Sequence, residues 1–284
     1  AASCPSHDNH IGFYYVSCDS DCHVTGNWQQ ARINEVIQES DHFDWELTLY
    51  PTLAFTKDGR PRLITAEFYP LAGRGATLTY YECNEMCELG YTWAKVQLYD
   101  RGEGPLPNAD LAIDDAGHPH VAFYQEQIDD VGGPRPHLLY ATCQQPFCMT
   151  AFNWDARYFA LDAHSGGAPD LALDSQGRPR IAYVDGVSGA LGYTWCNSDC
   201  ITSAGNVWQT VRIESAAQLA QEWPVDEPTG CAPGSWHGLT PVLDLAATDD
   251  VHVAYDVAYR AQCGNSPDTW LARSGRLVIF AQPE

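Results

Sequence analysis

The sequence predicts an all-β fold built from a repeated four-stranded unit, and three observations predict it. First, a strand-like run four times ends in a tight cysteine pair and restarts at a tryptophan. The copies are Tyr14-Tyr15-Val16-Ser17-Cys18…Cys22…Trp28, Tyr80-Tyr81-Glu82-Cys83…Cys87…Trp93, Tyr140-Ala141-Thr142-Cys143…Cys148…Trp154 and Tyr193-Thr194-Trp195-Cys196…Cys200…Trp208. Second, a Leu-Ala run, a Gly/Pro turn and an apolar run recur in the same order. They read Leu53-Ala54…Gly59-Arg60-Pro61-Arg62-Leu63-Ile64, Leu111-Ala112…Gly117-His118-Pro119-His120-Val121-Ala122, Leu171-Ala172…Gly177-Arg178-Pro179-Arg180-Ile181-Ala182 and, shortened, Leu245-Ala246…His252-Val253-Ala254. Short apolar stretches parted by Asp, Gly and Pro are hairpin signals. Third, helical periodicity of useful length is absent, and residues 216–221 have room for one turn inside a loop. A period of roughly 60 residues exceeds a solenoid turn and suits one propeller blade with a long loop. The expectation is a β-propeller of four or five four-stranded blades.

Each element has its reason. The Leu-Ala run is the innermost strand a, where a small residue suits crowding near an axis. The run ending Ile181-Ala182-Tyr183 is strand b, the aromatic run before each cysteine is strand c, and the Trp-led run such as Trp208-Gln209-Thr210-Val211 is strand d. One domain over 1–284 is expected, with an N-terminal arm at 1–10, a hairpin at 11–35 and blades at 47–98, 108–159 and 168–214. Residues 241–282 form the last blade, or a blade plus an extra hairpin at 270–280. The first cysteine hairpin lacks an a–b unit before it and the last a–b unit lacks a cysteine hairpin after it. A ring closed by the N-terminal hairpin resolves both deficits and removes exposed sheet edges.

The repeated Leu-Ala-x-Asp…Gly-x-Pro-x-Ile-Ala-Tyr signature with its Cys-x3-Cys hairpin resembles a repeat of secreted bacterial proteins. That repeat is itself similar to sialidase-type, Asp-box propeller blades. Gly90-Tyr91-Thr92-Trp93 matches the Gly-x-Thr-Trp end of an Asp box, while the Ser-x-Asp start is missing and a cysteine pair stands in the turn. The resemblance implies a scaffold shared by hydrolases, lyases, lectins and interaction modules, so it leaves the activity open.

Eleven cysteines favour an oxidising compartment: extracellular, cell surface or periplasm. Ala1-Ala2-Ser3 reads as a mature N-terminus left by signal cleavage. Spacing predicts disulfides Cys18–Cys22, Cys83–Cys87, Cys143–Cys148 and Cys196–Cys200, and loops that reach one face predict Cys231–Cys263, with Cys4 left over; thiolate metal binding would require ligands from two hairpins to converge. Each clip closes a very short loop, worth about 2 kcal/mol through the unfolded chain. No apolar run of about 18 residues exists, so no helical membrane span is expected. The net charge of −22 repels phosphate backbones and excludes nucleic acid as a partner.

Blade connectivity places the cysteine hairpins on one face as clips and the longer loops on the other, where function is usually carried. Aromatics expected on the loop face are Phe43, Trp45, Tyr69, Trp223 and Trp236, with His237 beside the last. Trp45, Tyr69, Trp223, Trp236 and His237 are the candidate ligand contacts, since indole and phenol rings stack on sugars. Asp110, Asp170 and Asp244 each precede the Leu-Ala pair of strand a, with Thr52 in the fourth position. Converging carboxylates there would bind a hard cation such as Ca²⁺, share protons at raised pKa, or cap their own turns. A second ring of Arg62, His120, Arg180 and His252 opens strand b and should pair with turn acids such as Asp114 and Asp174. No catalytic motif is present. The leading expectation is a binding scaffold for a surface protein or glycan. The alternative is a glycan-cleaving enzyme using axial and loop carboxylates, among them Glu126 or Glu222.

Overall fold

The computed structural model describes residues 10–37, 47–68, 76–100, 109–128, 134–145, 147–159, 169–185, 188–201, 207–225, 231–232, 234–263 and 266–280. The chain is all-β apart from short 3-10 turns and one helix. Strands β1 (His10–Ser17) and β2 (Gln29–Ile37) form a hairpin. Strands β3 (Leu47–Phe55), β4 (Pro61–Phe68), β5 (Ala76–Glu82) and β6 (Ala94–Asp100) form an antiparallel sheet in sequence order. The same meander recurs in β7 (Ala109–Ile113), β8 (Pro119–Ile128), β9 (Pro134–Thr142) and β10 (Asp155–Phe159). It recurs again in β11 (Asp170–Leu173), β12 (Pro179–Val184), β13 (Leu191–Cys196) and β14 (Trp208–Glu214). Helix α1 (Ala216–Glu222) then leads to a sheet of β15 (Ser235–Leu245), β16 (Val251–Cys263) and β17 (Ser266–Phe280). No helix among the described residues is long and apolar enough to cross a membrane.

Contacts divide the chain into two units, Ala1–Pro107 with Gln145–Asn153, and Asn108–Gln144 with Trp154–Glu284. In the first, Leu63, Tyr81, Cys83 and Trp93 form a buried cluster on which Phe13, Tyr15 and Ile33 of the N-terminal hairpin pack. Tyr15 meets Trp93 at 5.1 Å between ring centroids and Phe13 meets Tyr81 at 6.1 Å. In the second, Ile181, Tyr140, Leu171 and Ala122 join two sheets, and Trp195, Tyr193, Leu243, Val253 and Leu219 join the next pair of elements. Every residue of β12 and β13 is buried, whereas β14 alternates. That is why the middle strands read as continuous apolar runs: both their faces are covered.

The repeat is explained by local chemistry. In each a–b turn the N–H of Thr56, Asp114, Asp174 or Ala246 donates to the C=O four residues on, and the residue before that acceptor takes positive φ. Glycine fills that left-handed position at Gly59, Gly117 and Gly177, and Asp249 fills it in the last copy at φ 63. Asp114 and Asp174 also cap their turns by accepting from the N–H groups of Ala116 and His118 and of Gln176 and Arg178. The clips are built alike. Disulfides Cys18–Cys22, Cys83–Cys87 and Cys196–Cys200 are formed, and Cys143, Cys148 and Cys231 are disulfide-bonded as well. Cys4 and the side chain of Cys263 lie outside the described residues. After three of the clips the tryptophan indole N–H donates to the carbonyl of the second cysteine: Trp28 to Cys22 and Trp93 to Cys87 at 2.9 Å, Trp208 to Cys200 at 3.0 Å. In Gly90-Tyr91-Thr92-Trp93 the glycine is obligatory, because a Cβ there would stand 1.9 Å from the carbonyl oxygen of Arg32.

Two expectations are corrected. Residues 270–280 are one strand and no hairpin: Gly275, placed in a turn by sequence, pairs with Asp256 in mid-sheet, and Ser274 with Val257. The last strand a was also set two residues too late. Leu243 pairs with Val253 as Leu111 pairs with Val121 and Leu171 with Ile181, so Leu243, not Leu245, is the repeat leucine.

Candidate functional site

The register moves Asp244 out of the expected set. It pairs with His252 and so takes the place of Ala112 and Ala172, opposite His120 and Arg180. Val242 occupies the position equivalent to Asp110 and Asp170. The exposed Asp244 carboxylate accepts from the N–H of its own neighbour Leu245 at 2.9 Å.

Asp110 and Asp170 do come together. The Leu171 N–H donates to Asp110 Oδ2 at 2.7 Å, and the Leu243 N–H donates to Asp170 Oδ2. Each carboxyl thus ties its inner strand to the next one. Burial pushes Asp170 up to about 7, assisted by the charge of Asp110, a hydrogen bond with it and the more distant charge of Asp244, against the opposing Leu243 N–H. The hydrogen bonds of this pair run to the backbone of the next inner strand, and the nearness of the Asp110 charge adds to the rise at Asp170. Among the described residues no group of three or more His, Cys, Asp or Glu side chains is arranged to hold a metal ion.

The second ring is a lock between turns. Arg180 is 1% exposed; its Nη1 donates to the carbonyls of Pro179 and Cys196, and its Nη2 to Asn197 Oδ1 and to Asp174 Oδ2 at 2.6 Å. Arg62 repeats this with Pro61, Cys83 and Asn84. His120 replaces arginine in the β7–β10 sheet, its Nδ1 against the Tyr140 hydroxyl and its Nε2 3.5 Å from Asp114. Burial opposes ionisation of Asp114, yet hydrogen bonds from His120 and His118 hold it well below the usual carboxylate range.

An aromatic groove lies in the second unit, at the α1–β15 connection. Ser215 caps α1 with a reciprocal pair of hydrogen bonds to Gln218, a capping box. Leu219, 1% exposed, anchors the helix in the core. The Trp223 N–H closes the helix on the Leu219 carbonyl. Trp236 is buried on β15; its indole N–H donates to the Trp223 carbonyl at 3.0 Å and its ring stands edge-on to Trp223 at 5.6 Å and to Tyr259 at 5.5 Å. The Tyr259 hydroxyl accepts from the Gly234 N–H. Ala216, Ala220, Trp223, Pro224, Trp236 and Tyr259 line a cavity of about 430 Å³. Trp223 is half-buried and offers ring surface, whereas Trp236 supports it from behind. Of the sequence candidates this groove unites Trp223 and Trp236. Trp45 and Tyr69, and the side chain of His237, lie outside the described residues. Tyr259 was not anticipated; its signal is the β15–β16 register, which sets it directly opposite Trp236.

No family model matches the chain, and no curated protein matches it. Solved structures do match in fold. An α-L-arabinofuranosidase from Fusarium graminearum aligns at 12% identity and TM-score 0.50, over 89% of this chain and 64% of that one. An endo-arabinase from Bacteroides thetaiotaomicron aligns at 13% identity and TM-score 0.43, over 90% and 83% of the two chains. A fucose lectin from Kordia zhangzhouensis aligns at 16% identity and TM-score 0.32, over 58% and 99%. The class defined by these sheets is a β-propeller-like protein of four-stranded antiparallel blades.

Proposed function

We propose that this chain is a disulfide-clipped, propeller-type module of an oxidising compartment that binds a glycan at the Trp223–Trp236–Tyr259 groove. The observation that carries the reading is a concave site that combines ring surface with polar backbone and serine edges. The Trp236 N–H and the Tyr259 hydroxyl both bond to backbone, which fixes the rings in place. A sugar ring, apolar on one face and hydroxylated at its edge, meets that demand. The solved structures that share the fold are named for arabinan processing and fucose binding, in line with this ligand class.

Calorimetric titration against arabinan, xylan and fucosylated oligosaccharides tests it. Trp223→Ala should weaken binding about tenfold or more, with Trp223→Phe between the two. Unchanged affinity in Trp223→Ala would dismiss the groove. A second reading rests on Asp170, a carboxyl that can hold a proton near neutral pH and so serve as a general acid. Against it, each axial carboxyl is already engaged as a strand tie, Asp110 by the Leu171 N–H and Asp170 by the Leu243 N–H. Turnover of any of these glycans, lost in Asp170→Asn, would replace the binding reading by this one.

A further inference from the structure

The clips of the first unit carry a surface that neither the fold nor the groove uses. Clips that served register alone would show polar residues to water. Instead Met86, Tyr91, Phe147 and Phe152 are 56, 83, 69 and 100% exposed. Exposed apolar groups rimmed by polar residues mark interaction surfaces, and these four all belong to the clips and clip turns of the first unit. Tyr91 and Phe152 hold equivalent places, each the middle residue of a 3-10 turn, Gly90–Thr92 and Ala151–Asn153. These turns rest on β2 and β6 respectively, the first through the backbone contact of Gly90 with Arg32. The rings are therefore not needed to seat the turns. Their bases are stiff: the Thr92 hydroxyl lies 2.9 Å from the Met86 carbonyl and 2.7 Å from that of Leu89, and the Asn153 amide donates to the Phe147 carbonyl. A rigid aromatic tip loses little freedom on binding.

The clips at 18–28 and 83–93 are acidic. Residues 18–28 and 83–93 contain Asp19, Asp21, Glu85 and Glu88 and no lysine or arginine, and all four carboxylates are exposed. We infer that the clip surface of the first unit docks a cationic polypeptide, whose lysine or arginine heads lie over the rings of Tyr91 and Phe152 while the clip carboxylates neutralise them. Phenylalanine offers no hydrogen bond, so its use at a fully exposed tip fits a cation on the ring face. A second copy of the chain fits poorly, since each copy carries −22.

Fluorescence anisotropy with a labelled Lys/Arg-rich peptide tests this, alongside the same peptide with every lysine acetylated. The wild type should bind the first more tightly, in a salt-dependent way. The pair Tyr91→Ser/Phe152→Ser should weaken binding about tenfold with an unchanged melting temperature, and Tyr91→Phe should retain it. Glu85→Gln/Glu88→Gln should weaken it too, whereas Asp115→Asn/Asp250→Asn, which removes equal charge from the second unit, should not. The inference is overturned if the serine pair binds as tightly as wild type, if the control carboxylates matter as much, or if the acetylated peptide binds equally well. A dimer in sedimentation that Phe152→Ser abolishes would also overturn it, in favour of self-association.

Discussion

Asp170→Asn is expected to flatten the stability profile between about pH 4 and pH 7 and to stabilise the protein at pH 8 by on the order of 3 kcal/mol. Asp170 ordinarily titrates at 3.8 and is pushed up to about 7 in the folded chain. Between those values the folded state holds a proton that the unfolded state has released. The stabilisation from this group is therefore complete below 3.8 and declines as pH rises to about 7, above which two neighbouring carboxylates repel. An asparagine can accept the Leu243 N–H through its oxygen and donate its amide to Asp110, reproducing the protonated form at every pH. Asp114, held low, acts in the opposite sense: its contribution is present above its ordinary 3.8 and is lost only at more acid pH. It leaves the window undisturbed. Urea titrations of both proteins from pH 4 to pH 8 supply the check, and parallel profiles would contradict the raised Asp170 carboxyl.

Arg180→Ala should cost about 3–5 kcal/mol, the largest loss expected from one side chain here. Arg180 and Asp174 are 2% and 0% exposed through their side chains, and the guanidinium also holds two carbonyls and the Asn197 amide oxygen. Removing it leaves the buried carboxylate with Arg178 alone as a charged partner, and that side chain is 30% exposed. Arg178→Ala should therefore cost under about 1 kcal/mol. Arg180→Lys should recover only part of the loss, because an ammonium lacks the planar fork that spans both turns. Equal losses from Arg178→Ala and Arg180→Ala in chemical denaturation would show that burial at Arg180 contributes nothing special.

What the sequence made legible was local. The Cys-x3-Cys clip, the Asp…Gly turn and the tryptophan after each clip act within a few residues, so the repeat could be read directly. Misreading began where local marks were lost. In the last a–b turn alanine replaces the capping aspartate and Asp249 replaces glycine, and Leu245-Ala246 imitates the repeat two residues off frame. Ser274-Gly275 looked like a turn, yet pairing with β16 overrode it. The groove was half legible: Trp223 and Trp236 stand out as loop tryptophans, but Tyr259 joins them only through strand register. The axial set was two-thirds legible for the same reason. Asp110 and Asp170 share a frame that Asp244 does not.

The inner strands of the second unit are not held alike. Between β7 and β11 the tie lies at one end, where Asp110 takes the Leu171 N–H beside its own contact with Asp170. Between β11 and β15 there are two: Asp170 grips Leu243 near one end, and at the other the Asp249 carboxylate takes both the N–H and the hydroxyl of Ser175. The inner strands β11 and β15 are therefore fastened at both of their ends, so the register between these two sheets is set twice over.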